Sequence, residues 1–224
     1  MNVLGIIPAR GGSKAIPRKN IVLLGGKSLL AWTAEAASAS QLNQIIVSTD
    51  DEEIASHAEA CGIEVPFLRP AAIAGDDAAT IDVVLHALDE LATEFDAVMV
   101  LQPTSPFRTV ADIDACLLLL NNSDADSVIS VVDVGGHHPA RMKFLKDGIL
   151  VDPPFGEQIE NQSRQDLTPM YIRNGAIYLT RTHVIQAGTF KGRVCLAHVM
   201  PPERSINIDE PLDLAIAEAM VNHQ

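Results

Sequence analysis

The chain is poor in cysteine, short of positive charge and without a long apolar run. Its three cysteines, Cys61, Cys116 and Cys195, lie far apart and form no CxxC pair. That excludes a disulfide framework and a thiolate zinc site, and it suits a reducing cytoplasm. No apolar stretch approaches a membrane span of roughly 20 residues, and no basic segment leads into an apolar one at the start, so neither a membrane-spanning helix nor a signal peptide is expected. Sixteen Lys and Arg stand against 29 Asp and Glu, a formal net charge of −13. Such a balance excludes a general coat for nucleic acid or an anionic membrane surface and points to a small partner. What is present is 224 residues, 47% of them hydrophobic, enough to bury the core of one large domain.

A further absence is local. No acidic residue precedes Glu35, whereas Arg10, Lys14, Arg18, Lys19 and Lys27 do, so five of the sixteen basic side chains fall in the first 34 positions. In an acidic chain this bias marks either a solvated basic loop or a site for a polyanion.

Residues 3–8 are a continuous apolar run closed by Pro8 and followed by Gly11-Gly12, the pattern of a buried strand, and helical spacing begins at the N-cap candidate Ser28. Residues 44–48 read as a second buried strand, with Asp50-Asp51 capping a helix that stops at Gly62. The pattern then predicts a short strand over 65–68, a helix over 80–91, a strand over 97–101 and a helix over 110–120 capped near Thr109. Unbroken apolar strands alternating with amphipathic helices predict an α/β fold with a doubly wound, mostly parallel, Rossmann-like sheet, because strands covered on both faces are apolar throughout. Ligand crevices in such sheets open beyond the strand C-termini. Arg10-Gly11-Gly12-Ser13-Lys14, Thr49-Asp50 and Gln102-Pro103-Thr104-Ser105-Pro106 all fall at that edge.

From 126 the helical signal fades. A strand over 127–132 is followed by Gly135-Gly136-His137-His138-Pro139, and 152–169 is rich in Pro, Gln, Asn and charge. One domain spanning 1–224 is expected, with 126–173 as an excursion from the sheet that forms a small lobe or an oligomer contact. Strands over 176–180 and 194–199 and a helix over 211–221, with Pro211 in its first turn, restore the core pattern.

Gly26-Lys27-Ser28 matches the end of a Walker A motif, but Ile21 stands where its first glycine belongs. A dinucleotide GxGxxG is absent because Gly11 and Gly12 are adjacent. What remains is a loop in which Arg10, Lys14 and Lys19 are spread over ten residues, long enough to wrap a triphosphate, with glycines that let backbone amides approach the phosphates.

With Val47-Ser48-Thr49-Asp50-Asp51, Leu68-Arg69-Pro70-Ala71, Leu101-Gln102-Pro103-Thr104-Ser105-Pro106-Phe107-Arg108, Asn174-Gly175-Ala176-Ile177-Tyr178 and Ser205-Ile206-Asn207-Ile208-Asp209, this loop resembles the acylneuraminate cytidylyltransferase (CMP-sialic acid synthetase) family over nearly the whole chain. The resemblance implies the nucleotide-diphospho-sugar transferase type of the fold with an inserted dimerisation lobe, a homodimer, and a cytoplasmic enzyme with no nucleic-acid or membrane partner. It implies a reaction in which the anomeric hydroxyl of a nonulosonic acid attacks the α-phosphorus of CTP and releases pyrophosphate with help from Mg2+ or Mn2+.

By that resemblance Arg10, Lys14 and Lys19 offset charge on the triphosphate, and Gly11, Ser13 and Asn20 lie against the nucleotide. Arg69 donates to the base carbonyl, with the Ala78 backbone and Thr80 completing a cytosine pocket. Gln102 and Asn174 face the sugar. Arg141 and Arg164 reach it across a dimer, since a carboxylate suits a bidentate guanidinium.

The family's usual Asp-x-Asp reads Asn207-Ile208-Asp209 here, which leaves Asp209 as metal ligand and allows Asn207 only a carbonyl oxygen or a held water. The arginine often found two residues before Asn174 is Ile172. Plainer roles stay open: a surface salt bridge for Arg69, a helix cap for Thr80, a cap ahead of Pro211 for Asp209, and solvent or interface positions for His137 and His138. Two other functions also stay open, a nucleotidyltransferase for another sugar or nucleotide and a catalytically weak nucleotide-binding homologue.

Overall fold

The computed structural model describes residues 1–75, 77–156 and 162–222. In chain order its elements are β1 (Val3–Pro8), β2 (Leu23–Leu24), β3 (Lys27–Ser28), α1 (Leu29–Ser38), β4 (Gln44–Ser48), α2 (Glu52–Ala60), α3 (Thr80–Glu90), β5 (Ala97–Val100) and α4 (Val110–Asn121). There follow β6 (Ser127–Asp133), β7 (Phe144–Lys146), β8 (Ile149–Val151), β9 (Tyr171–Arg181), α5 (Thr182–Gln186), β10 (Cys195–Val199) and α6 (Pro211–Val221).

Six strands make one sheet in the order β10-β6-β9-β5-β1-β4. Every neighbouring pair is parallel except those of β9, which runs antiparallel to β5 and β6. The doubly wound, mostly parallel α/β sheet expected from the sequence is therefore present. Leu30, Ile54, Ile113 and Cys116 bring α1, α2 and α4 onto one face, and Val84, Ala87 and Ile185 bring α3 and α5 onto the other. Fully buried aliphatic side chains of this kind each contribute about 1.5–3 kcal/mol. Burial also pushes the Cys116 thiol up to about 12, so this cysteine packs rather than reacts.

The helix starts follow the caps. Ser28 accepts from the Ala31 amide, Asp51 from the amides of Glu53 and Ile54, and Thr109 forms a capping box with Asp112. Among the described residues no helix is long and apolar enough to cross a membrane.

Two boundaries differ from expectation. Residues 65–68 form no strand of their own, only isolated bridges from Glu64 to Ile46 and from Leu68 to Thr49. Pro66, which has no amide proton to give a ladder, lies between them. The excursion spans 134–170 rather than 126–173, since Ser127–Asp133 and the start of β9 pair in the main sheet. That start is hard to read because the ladder shifts register between Ile129 and Val131. The buried Ser130 hydroxyl occupies the irregularity, donating to Asn174 Oδ1 at 2.6 Å and accepting from the Ile177 amide at 2.8 Å.

Within the excursion β7 and β8 form a hairpin whose turn residues Asp147 and Gly148 have φ of 49° and 80°, as a tight primed turn requires. Phe144, Leu145, Ile149 and Leu150 on it are 49–72% exposed. His138 pins its base, accepting from the Ala140 amide through Nδ1 and donating to the Thr168 carbonyl through Nε2. Residues 157–161 of the expected excursion lie outside the described residues.

Candidate functional site

The loop after β1 is shaped by acidic side chains at the start of α2. The Gly11 amide donates to Asp50 at 3.0 Å, and a Cβ on Gly11 would lie 2.6 Å from Asp51 Oδ2, so any larger residue would displace the Asp51 carboxylate. Arg18, at a left-handed φ of 56°, pairs with Asp51 and Glu53 and holds the far end of the loop. Its guanidinium holds the Asp51 carboxyl below the usual carboxylate range. Asn20, 7% exposed, donates to the Arg10 carbonyl at 2.9 Å and braces the middle.

Beyond the C-terminal ends of β1 and β5 this loop borders a cleft of about 410 Å3. Most of the residues singled out from the sequence meet there. Arg10, Ser13, Lys19 and Asn20 line one side, Arg69, Ala78 and Thr80 another, and Gln102, Asn207 and Asp209 a third. Gly12 lines it in place of Gly11, and Lys14 is exposed on the same loop.

Arg69 is not in a surface salt bridge. It is 6% exposed, and its Nε donates to the Ser48 hydroxyl at 3.2 Å while Nη2 donates to the Ser48 carbonyl. Burial lowers its pKa, partly offset by Asp50. Thr80 is the first helical residue of α3 and not its cap, which is Ala79 without a side-chain bond.

Asp209 does not cap α6 either, because Glu210 and Asp213 form that capping box. Its carboxylate instead accepts from Lys19 Nζ at 2.8 Å and from the Asn207 amide nitrogen. Asn207 thus points its donor at Asp209 and its oxygen at the Ser105 hydroxyl, 3.4 Å away, so it orients Asp209 and does not turn its carbonyl alongside. The Lys19 ammonium and Asp209 form an ion pair at the cleft edge. One carboxylate facing a basic loop fits a Mg2+ ion that arrives with phosphate, since Mg2+ keeps several waters and takes few protein ligands. Among the described residues no cluster of three His, Cys, Asp or Glu forms a self-sufficient metal cage.

Three expected sugar contacts do not reach this cleft. Asn174 is 5% exposed and committed to the fold, bonded to Ser130, Ser205 and the Met200 sulfur. Arg141 donates to the Gln162 carbonyl at 3.2 Å, and Arg164 faces Asp133 at 3.5 Å, both on the excursion.

Other residues escaped sequence reasoning. Arg108, 3% exposed, donates to the Ala176 carbonyl and the Thr33 hydroxyl at 2.9 Å and to the Gln102 carbonyl, fixing the loop that carries Gln102. Burial pulls its pKa down to about 9, with Asp112 opposing. Asp112, 2% exposed, holds Arg204 at 2.9 Å and His198 at 3.0 Å and so latches the segment that leads to Asn207 and Asp209. Burial would raise its pKa, but hydrogen bonds from His198, Arg204 and Thr109 outweigh that and hold it well below 3.8.

Because the folded pKa is depressed, the latch stabilises the protein above about pH 4 and the contribution is lost as pH falls below that. Asp112→Asn is expected to cost about 2 kcal/mol at pH 7, a drop of about 4–8 °C in Tm. The gap between the two Tm values should narrow progressively as pH falls below about 4 and close only below the folded pKa of Asp112. Parallel thermal melts across pH check this, and a gap that stays constant would contradict it.

The cleft lies beyond the strand ends of an α/β sheet and is bordered by basic side chains, the place where such sheets form ligand crevices. Solved structures agree at the level of fold. A CMP:2-keto-3-deoxy-manno-octonic acid synthetase in complex with CTP superposes with a TM-score of 0.74 at 16% identity, over 100% of this chain and 99% of that one. A 4-diphosphocytidyl-2C-methyl-D-erythritol synthase from Anaerococcus prevotii gives 0.69 at 15% identity, over 99% and 96%.

Residues 4–194 match the family model described as Cytidylyltransferase. The chain is 34% identical to a CMP-N,N'-diacetyllegionaminic acid synthase of Legionella pneumophila, over 99% of its own length and 97% of that protein. It is also 34% identical to an N-acylneuraminate cytidylyltransferase of Escherichia coli, over 96% of its length but 51% of that protein, so it spans about half of the longer relative. This chain belongs to the cytidylyltransferase family.

Proposed function

We propose that the chain transfers a cytidylyl group from CTP to the anomeric hydroxyl of a nonulosonic acid, the class of sugar acid named for both relatives. The observation that carries this is the cleft itself, which gathers three loop residues with Lys19, Arg69, Thr80, Gln102 and Asp209 from five separate chain segments. The hydroxyl oxygen forms a bond to the α-phosphorus, the bridging α–β bond breaks, pyrophosphate leaves and the hydroxyl proton passes to water. Catalysis then rests on charge placement and alignment.

Arg10, Lys14 and Lys19 carry the triphosphate charge, with the amides of Gly12 and Ser13 beside them. Asp209 would hold Mg2+ or Mn2+, and the ion would supply neutralisation of the charge on the pyrophosphate. Asn207 keeps that carboxylate aimed. Incubation with CTP and a panel of sugar acids, read as pyrophosphate release, tests the reading. CTP binding without release would indicate a catalytically weak homologue.

Arg69 and Thr80, with the Ala78 backbone, read the base. The Arg69 bonds to Ser48 employ Nε and Nη2; a guanidinium that donates to the base carbonyl would also lie near the ring nitrogen, which is an acceptor in cytosine and an N–H in uracil. Arg69→Ala is expected to cut the CTP-to-UTP ratio of kcat/KM by about tenfold or more. An unmoved ratio would make Arg69 a brace for β4.

A homodimer, in a reducing compartment such as the cytoplasm, completes the reading. The exposed apolar hairpin supports it, since a two-stranded ribbon is marginal in water by itself. Arg141 and Arg164 then serve the acceptor site of the second copy. Arg164→Ala is expected to raise the sugar-acid KM about tenfold or more with CTP KM nearly unchanged. Mixing it with a Lys19 variant should restore activity in heterodimers. No rescue in verified heterodimers would place the sugar site within one chain.

A further inference from the structure

Arg18 belongs to the basic segment but does not line the cleft, and its φ of 56° and ψ of 32° are left-handed. Among the described residues only Arg18 and Asp147 combine a positive φ with a side chain. Asp147 sits in a hairpin turn, where a short polar side chain tolerates that region. Arginine has no such local hydrogen bond to gain, and its Cβ crowds the following carbonyl oxygen.

The neighbours of Arg18 show what the turn does. Ile16 is buried with Phe107 and Ile208, whereas Lys19 and Asn20 line the cleft, so the chain changes direction between them. The 3-10 turn Lys19–Ile21 starts from Arg18, whose carbonyl accepts from the Ile21 amide at 2.9 Å. A negative φ at Arg18 would swing Lys19 away from Asp209 and Asn20 away from the Arg10 carbonyl.

The guanidinium supplies the hold. Nη2 donates to Asp51 Oδ1 at 3.1 Å and also to Glu53, and Nη1 donates to Asp51 Oδ2. Asp51 is itself fixed, because its Oδ1 accepts from the Glu53 and Ile54 amides at 3.0 Å as the cap of α2. A two-pronged bond to a fixed carboxylate sets direction as well as distance. The Arg18 side chain is 37% exposed, so dissolved salt reaches this clamp.

We propose that Arg18 is a positioning residue whose ion pairs with Asp51 and Glu53 hold a left-handed turn that an L residue would otherwise leave, and that this turn sets Lys19 and Asn20 in the cleft. Its effect on rate rests on the cytidylyl-transfer reading.

Three variants separate the turn from the charge. Arg18→Ala keeps the strained backbone and loses the clamp, Arg18→Gly loses the clamp but needs none, and Glu53→Gln removes one arm and leaves the cap of α2 in place. Amide exchange at Ile21 and Val22, followed by NMR without nucleotide, reads the turn. Protection should fall about tenfold or more in Arg18→Ala, stay within about threefold of wild type in Arg18→Gly, and lie between in Glu53→Gln. Raising NaCl from about 0.1 to 1 M should lower it in the wild type and not in Arg18→Gly. The kcat/KM for CTP should follow the order of the three variants.

Wild-type protection in Arg18→Ala, or an equal loss in Arg18→Gly, would overturn the inference, as would the expected exchange with kcat/KM unmoved. Should Arg18→Ala not fold, Glu53→Gln and the salt response decide by the same measure, and no change in either would overturn it. The expected exchange in a protein that converts no sugar acid, wild type included, would overturn the transfer reading and the effect on rate while leaving the clamp.

Discussion

Alanine in place of Lys19 is expected to lower kcat by about 10²- to 10³-fold while raising the CTP KM less than about tenfold. The split follows from where the ammonium sits. Its Nζ is 2.8 Å from Asp209, its side chain is 16% exposed, and it lines the cleft with Arg10 and Ser13. Before CTP binds, Lys19 already has an anionic partner, so ground-state phosphate gains little by displacing it. Charge that grows on the leaving pyrophosphate is what the ammonium answers in full, and an interaction strongest in the transition state appears in kcat. A partly exposed ion pair is worth about 0–1 kcal/mol, so the variant should stay folded. A raised KM with unchanged kcat would show that Lys19 binds CTP and its transition state equally.

Asp209→Asn is expected to remove most activity, at least about 10²-fold in kcat/KM, with little change in Tm. The alternative, a helix cap, would cost about 1 kcal/mol of stability and leave kinetics near normal. The structure assigns the cap of α6 to Glu210 and Asp213, which leaves Asp209 on the cleft between Lys19 and Asn207. Asn207→Asp should keep turnover and lower the Mg2+ concentration for half-maximal rate, because it adds a second carboxylate beside the first. Melting curves and Mg2+ titrations of pyrophosphate release on both variants measure the two effects. A destabilised but fully active Asp209→Asn protein would remove Asp209 from the site. Lys19→Ala and Asp209→Asn should also combine less than additively, since each removes the other's partner.

Much of the fold was legible because buried parallel strands carry unbroken apolar runs, as β1, β4 and β5 do, and because Ser28, Asp51, Thr109 and Gly62 stand where caps and stops are needed. The start of β9 was not, since Asn174-Gly175 breaks the pattern with a register shift that only the Ser130 hydroxyl explains. The basic loop stood out against an acidic chain, and the rest of the cleft lining was named only through the resemblance of its motifs to a known family. The latch did not: Asp112 meets His198 and Arg204 across 86 and 92 residues of sequence, with no local signal. Asn207 read as a weakened metal ligand, and only its geometry shows an amide holding Asp209. Asn174 read as a sugar contact, yet burial commits it to the sheet.

The most direct measurement follows the fate of the phosphorus atoms. The protein is incubated with CTP, Mg2+ and a nonulosonic acid, and phosphorus NMR is recorded as CTP disappears. The account predicts one pyrophosphate and one new CMP-sugar phosphodiester for each CTP consumed, dependent on the acid. Free CMP with pyrophosphate, CDP with inorganic phosphate, or unchanged CTP with every acid tried would contradict it.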